Sequence, residues 1–256
     1  MNDLFNAKRF ALLFIKHTAE HYKTYLMALA VLIGVMVLGG SFLVYLIPGA
    51  IDKQVQGVLY VPILFLAGTI FTSTVFADFG DPKKAIASLT LPASNFEKFL
   101  VGWLFSYVLF FFVFTGSFYL ILVILLHLKH FQNQPAEFFN IFSWNAFFLF
   151  TEFSLLHSIT ICGAIVFNKL QFIKTAFCFF IAIAFLILVN TLFIEASIGR
   201  EIRPAIPFSN IEFVENNRFY DVGAIRQTDM AVPWLIIAVA IIFWTAAYYR
   251  MKEKEV

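Results

Sequence analysis

The chain has 256 residues, 61% of them hydrophobic and 13% charged, with 35 phenylalanines, a net charge of +2 and a mean hydropathy of +0.85. A soluble domain carries about 25% charged and about 45–50% apolar residues, so a water-facing globule is excluded and the chain reads as membrane-embedded. Its small net charge and lack of a basic tract exclude a nucleic-acid-binding tail, and its two cysteines, Cys162 and Cys178, both inside apolar runs, exclude a disulfide framework.

Residues 1–23 predict an amphipathic helix lying on the membrane surface. At about 100° per residue, Leu4, Ala7, Phe10, Ala11, Phe14, Ile15, Thr18 and Tyr22 fall on one face, and Arg9, Lys16, Glu20 and Lys23 on the other. Six apolar runs follow: Tyr25–Ile47, Val58–Ala77, Phe99–Leu126, Ile141–Phe167, Ile173–Ile194 and Val232–Tyr249. Each is long enough to cross a hydrocarbon core of about 30 Å as a helix. Helices are required because backbone groups in lipid must be satisfied within the segment, and the runs lack the alternation of a barrel strand. The expected fold is one all-α transmembrane domain over residues 1–256.

Two connections carry local signals. After the second run, Asp81-Pro82 reads as an N-cap followed by proline at the first helical position, predicting a short helix from Pro82 to about Leu89 that Pro92 terminates. Ser94-x-x-Glu97 is then a capping box opening the third run. Between the fifth and sixth runs, Glu195–Ala231 is the long connection, where Ser209-x-x-Glu212 predicts a short helix through about Arg218.

Orientation follows from the cations. Twelve of the 18 lysines and arginines lie in the terminal segments and in the second and fourth connections. The short connections on the other side hold two, Lys53 and Lys129, and four arginines sit in the long one. The bias places both termini in the cytoplasm.

No catalytic motif stands out. The sequence has no G-x-x-x-x-G-K-[ST] phosphate loop, no H-E-x-x-H, no C-x-x-C and no G-x-S-x-G. No catalytic residue, cofactor or metal is therefore expected. Glu152 is the notable acid deep within a span; it shares a helical face with Asn145, with His157 close by, and together they are candidates for a transport path or gate. The small residues Gly68, Thr69, Thr72 and Ser73 of the second run predict close helix packing.

The order of these parts resembles the permease (membrane) subunits of ABC-2-type transporters. The stretch Ser88–Lys98 is similar to the LPxSxxEK segment common after their second span. The resemblance implies a permease, working as an exporter in the cell inner membrane, with a separate ABC-type ATPase as partner and a second copy or a related permease beside it. It also implies that the connection Gly80–Lys98 docks the ATPase, which marks Asp81, Lys83, Lys84, Ile86 and Leu89. The classes left open beside it are a non-transporting anchor or assembly subunit and a membrane-embedded enzyme acting on lipid.

Overall fold

A computed structural model describes residues 5–47, 52–81, 91–128, 138–141, 144–215, 218–223 and 226–254, apart from the side chains of 128, 144–146, 214–215 and 226–230. Six helices among them are long and apolar enough to cross a membrane, and the chain is a multi-pass, all-α membrane protein. The first span is α1 (Ala7–Leu46) and the second α2 (Lys53–Val75), followed by a single turn α3 (Ala77–Gly80). The third runs through α4 (Asn95–Trp103), a π-helical segment (Leu104–Leu109) and α5 (Phe110–Leu128). The last three are α6 (Trp144–Val166), α7 (Gln171–Ile198) and α8 (Arg226–Glu253).

The first helix departs from expectation. The boundary expected near residue 24, between a surface helix and a span, is absent, and α1 is one uninterrupted helix of 40 residues. Its length is about 60 Å, twice the hydrocarbon thickness. No glycine or proline lies between Ala7 and Ile33 to break it. Its early turns also have protein to pack on: the Phe105 ring lies 4.6 Å from Phe14, 4.7 Å from His17 and 5.6 Å from Tyr25. The side turned to the bundle is Arg9, Leu13, His17, His21 and Tyr25, at four-residue spacing. Ala7, Ala11, Ile15, Thr18 and Tyr22, from the apolar face read in the sequence, stay exposed.

The fourth span is the axis of the bundle: α6 packs against α2, α7 and α8. Around it the core divides into two apolar clusters. One is built on Tyr60, Phe114, Phe118 and Phe153, the other on Phe76, Ile161, Ile165 and Met251. In α7, by contrast, Thr175 is the one buried residue, so this apolar helix lies on the outside of the bundle, where lipid suits it.

Both termini meet at one end of the bundle, where side chains close the helix ends. Lys254 Nζ donates to the carbonyls of Ile165 (2.6 Å), Phe79 (2.9 Å) and Gly80 (3.4 Å). These carbonyls end α3 and α6, where a cation also complements the helix dipole. Gln171 Nε2 adds a bond to Ala77 O at 3.0 Å. At the opposite end the buried Gln56 accepts from Phe139 N–H at 2.7 Å, and Tyr119 O–H donates to Phe139 O.

The connection between the last two spans is also a correction. In place of the expected short helix, β1 (Ile211–Glu215) pairs antiparallel with β2 (Arg218–Val222), from Ile211↔Val222 to Glu215↔Arg218. The capping box is not closed: Ser209 Oγ donates to Ile206 O at 2.7 Å, and Glu212 pairs with Arg203 at 3.1 Å. Aromatic and β-branched side chains favour the strands, and the Phe213 and Tyr220 rings stack 5.3 Å apart across them. The loop is stitched back onto α7, since Asn190 Nδ2 donates to Ala205 O and Ala205 N–H donates to Thr191 Oγ1.

The small-residue stripe of α2 packs as expected. A Cβ on Gly68 would lie 2.5 Å from Phe153 Cε2 and 3.1 Å from Phe110 Cε1. Gly68→Ala therefore forces the Phe153 ring out of a filled core, at a cost of about 1–3 kcal/mol. Thermal unfolding in detergent should show a lowered Tm, and an unchanged Tm would mean that α2 and α6 are not closely apposed there.

Candidate functional site

The segment Leu91–Lys98 is a built corner. Ser94 Oγ accepts from Glu97 N–H at 3.2 Å, and Glu97 Oε2 accepts from Ser94 N–H at 2.9 Å, so the capping box read in the sequence is closed. Glu97 does more than cap its own helix. Its Oε1 accepts from the backbone N–H of Asn6 at 2.7 Å and from Arg9 Nη2 at 3.1 Å. Asn6 is itself the N-cap of α1, accepting from the N–H groups of Lys8 and Arg9. One carboxylate, with no exposed side-chain surface, thus joins the N-termini of α1 and α4. Both helix ends carry partial positive charge, which a carboxylate complements.

The connection ahead of this corner holds the expected docking residues. Asp81 ends α3, its N–H donating to Ala77 O at 3.3 Å. Lys83, Lys84, Ile86 and Leu89, with the short helix expected there, lie outside the described residues.

Of the proposed gate residues, Glu152 and His157 lie on different sides of α6. Glu152 is exposed on the outer surface of α6, whereas His157, five residues on, is fully buried. The side chain of Asn145 lies outside the described residues. A carboxylate facing hydrocarbon in mid-span costs several kcal/mol if ionised, so the face carrying Glu152 is suited to a protein or aqueous contact.

His157 belongs to a different constellation. Trp244 Nε1–H donates to His157 Nδ1 at 3.1 Å, and His157 Nε2 lies 2.9 Å from Ser106 Oγ. An indole nitrogen can only donate, so Nδ1 must be the acceptor and Nε2 must carry the ring proton. Nε2–H then donates to Ser106 Oγ, whose own proton goes to Gly102 O at 2.8 Å. Beside this chain, the Tyr107 and Ser154 hydroxyls are hydrogen-bonded. A serine nucleophile needs an imidazole nitrogen able to take its proton. Here Nε2 is a donor, so the Ser106–His157 pair is a structural bridge between the third, fourth and sixth spans.

Ser106 and Tyr107 were not legible as partners of α6, because nothing in a single sequence states which spans touch. Both lie in the π-helical segment, and π-bulges recur at functional sites. Among the described residues, no group of three or more His, Cys, Asp or Glu could hold a metal ion.

Compared with known proteins, the sequence matches no family model, and no curated protein or solved structure shows significant similarity to it.

Glu97→Gln tests the corner. The amide removes the charge that Arg9 and the two helix ends share, at a cost of about 1–3 kcal/mol, discounted because Arg9 is part-exposed. Chemical unfolding in micelles should show this loss. Adding Arg9→Gln should cost less in that background than in the wild type, because the two changes remove the same contact. Strict additivity would show that Arg9 and Glu97 act independently.

Proposed function

We propose that the chain is the membrane-spanning permease subunit of an ABC transporter, an exporter whose ATP hydrolysis takes place in a separate ATPase subunit. The observation that carries the reading is the segment Leu91–Lys98. The residues similar to the LPxSxxEK pattern are those that build the corner at the base of the third span, and Glu97 extends that corner to the first span. A force applied by a partner to the preceding connection, 82–90, reaches two spans through one rigid junction. This is what a permease without its own nucleotide site requires.

In this reading the end holding both termini is cytoplasmic, in the cell inner membrane, because twelve of the 18 cations lie in the segments gathered there. The exposed Glu152 face of α6 meets a second permease copy or a related chain across the pathway. The alternative of a lipid-acting enzyme built on Ser106 and His157 is opposed by the direction of their hydrogen bonds.

Ile86→Asp tests the docking. A charge placed in an apolar anchor costs several kcal/mol at a buried contact, so the variant should lose the ATPase on co-purification while the permease itself is recovered. Lys84→Ala, at the rim, should weaken binding mildly and chiefly at low salt. Full retention of the ATPase by Ile86→Asp would remove this loop as the coupling element.

Orientation has its own test. Cysteines replacing Lys84 and Lys252 should be shielded from an impermeant thiol reagent in intact cells, and one replacing Asn216 should react. Labelling at Lys84 in sealed cells would invert the topology.

A further inference from the structure

The fourth and fifth spans are in tight contact at one end and part towards the other. The contact is at Gly163 and Thr175, where a Cβ on the glycine would lie 1.9 Å from Thr175 Oγ1. Exposure rises along both helices away from it. On α6, Gly163 is buried, Ile159 and Leu156 are half-buried, and Glu152 is exposed. On α7, Thr175 is buried, Phe179 is half-buried, and Ala182 and Leu186 are exposed. Eleven residues make three helical turns and about 20°, with a rise of about 16 Å. Glu152 and Leu186, each eleven residues from the contact, therefore lie on the faces that carry Gly163 and Thr175, and at one level. From 180 to 186, nearly two turns, every residue of α7 is exposed, so the helix stands off the bundle there on all sides.

The opening between the two helices lies within the spans, and one residue sets it apart from an ordinary lipid-facing groove. Ile159, Leu156, Phe179, Ala182 and Leu186 are apolar, whereas the Glu152 carboxylate has no ion pair or hydrogen bond among the described residues. An acyl chain would suit the apolar walls and leave an ionised acid facing hydrocarbon, which is unfavourable. A hydrated inorganic cation would suit the carboxylate and bring water against the apolar walls. An occupant with an apolar body and one positive charge suits both.

We infer that the opening between α6 and α7 binds an amphiphilic organic cation, with a cationic N–H group at Glu152 and the apolar body between the helices. Such a group donates charge-assisted hydrogen bonds to the carboxylate, and these strengthen where hydrocarbon excludes water. As the class of compound transported, the cation rests on the permease reading; as a ligand of this opening it does not.

The test uses the full chain in maltoside micelles, without an ATPase, and the fluorescence anisotropy of rhodamine 123, a lipophilic cation with N–H donors, measured against empty micelles. Fluorescein methyl ester is the control, since it shares the fused-ring skeleton and carries no positive charge. The wild type should bind the cation about tenfold more tightly, the scale of a hydrogen bond to a charged group. Glu152→Gln should remove that difference, Glu152→Asp should keep part of it, and Leu186→Trp, which fills the opening, should weaken binding of both dyes. Thermal unfolding identifies the variants that fold, and both positions are exposed. Equal affinity for the two dyes in the wild type, or an unchanged preference in folded Glu152→Gln, would overturn the site. Unchanged binding by folded Leu186→Trp would put the cation outside the α6–α7 opening and overturn it as well. A chain that binds rhodamine 123 through Glu152 yet retains no ATPase would keep the site and lose the permease reading, and an ATPase retained without any dye preference would do the reverse.

Discussion

The Glu97 carboxylate sits where two helix N-termini converge, and the cytoplasmic half of the molecule, in the proposed orientation, is arranged around that point. Helix N-termini leave backbone N–H groups without intrahelical partners, and burying them unpaired is costly. Here Asn6 caps α1, Ser94 caps α4, and Glu97 accepts from the backbone N–H of both capping residues. The first and third spans therefore start at a common level and rise side by side, down to contacts such as Gly40 against Leu125 far along both helices. The continuity of α1 follows from the same junction, since a helix fixed at Asn6 and packed on Phe105 has no reason to break before it enters the membrane.

The C-terminal end is closed by a complementary device. Where Glu97 gathers backbone donors, Lys254 gathers backbone acceptors from the ends of α3 and α6. Burial and the nearby Arg250 lower its pKa, while three carbonyls satisfy its ammonium group. The donors of two helix beginnings and the acceptors of two helix ends are thus neutralised by one side chain of each sign.

The spans were legible because a long apolar run in lipid has one economical conformation, and the six runs from Tyr25–Ile47 to Val232–Tyr249 each fall on a helix of the bundle. The capping box at Ser94 was legible for the same local reason, as its two partners are three residues apart. Local signals failed where a longer-range contact competed. Glu212 had a cross-loop partner in Arg203, and the residues after Ser209 pair as strands, so a sequence pattern shared by helix starts was overridden. The early turns of α1 carry an apolar stripe that reads as a surface helix, yet their opposite side is occupied by protein, which no periodicity reveals. Glu152 and His157 looked like neighbours on one span, but five residues carry a helix about 140° past a full turn, and only His157 faces inward. The Ser106–His157–Trp244 chain depends on three spans meeting, which a single sequence leaves unstated.

The π-helical segment Leu104–Leu109 changes how this span tolerates altered length. A π-bulge is one residue in excess of the α-helical count, wound into a wider turn. Insertions and deletions are ordinarily excluded from membrane helices, because each shifts every later side chain by about 100°. Removing one residue from this stretch would instead return the helix to ordinary winding, leaving Asn95–Trp103 below and Phe110–Leu128 above on their present faces. The third span is thus the place where a gap in an alignment of related chains can fall inside a membrane helix without disturbing the packing on either side.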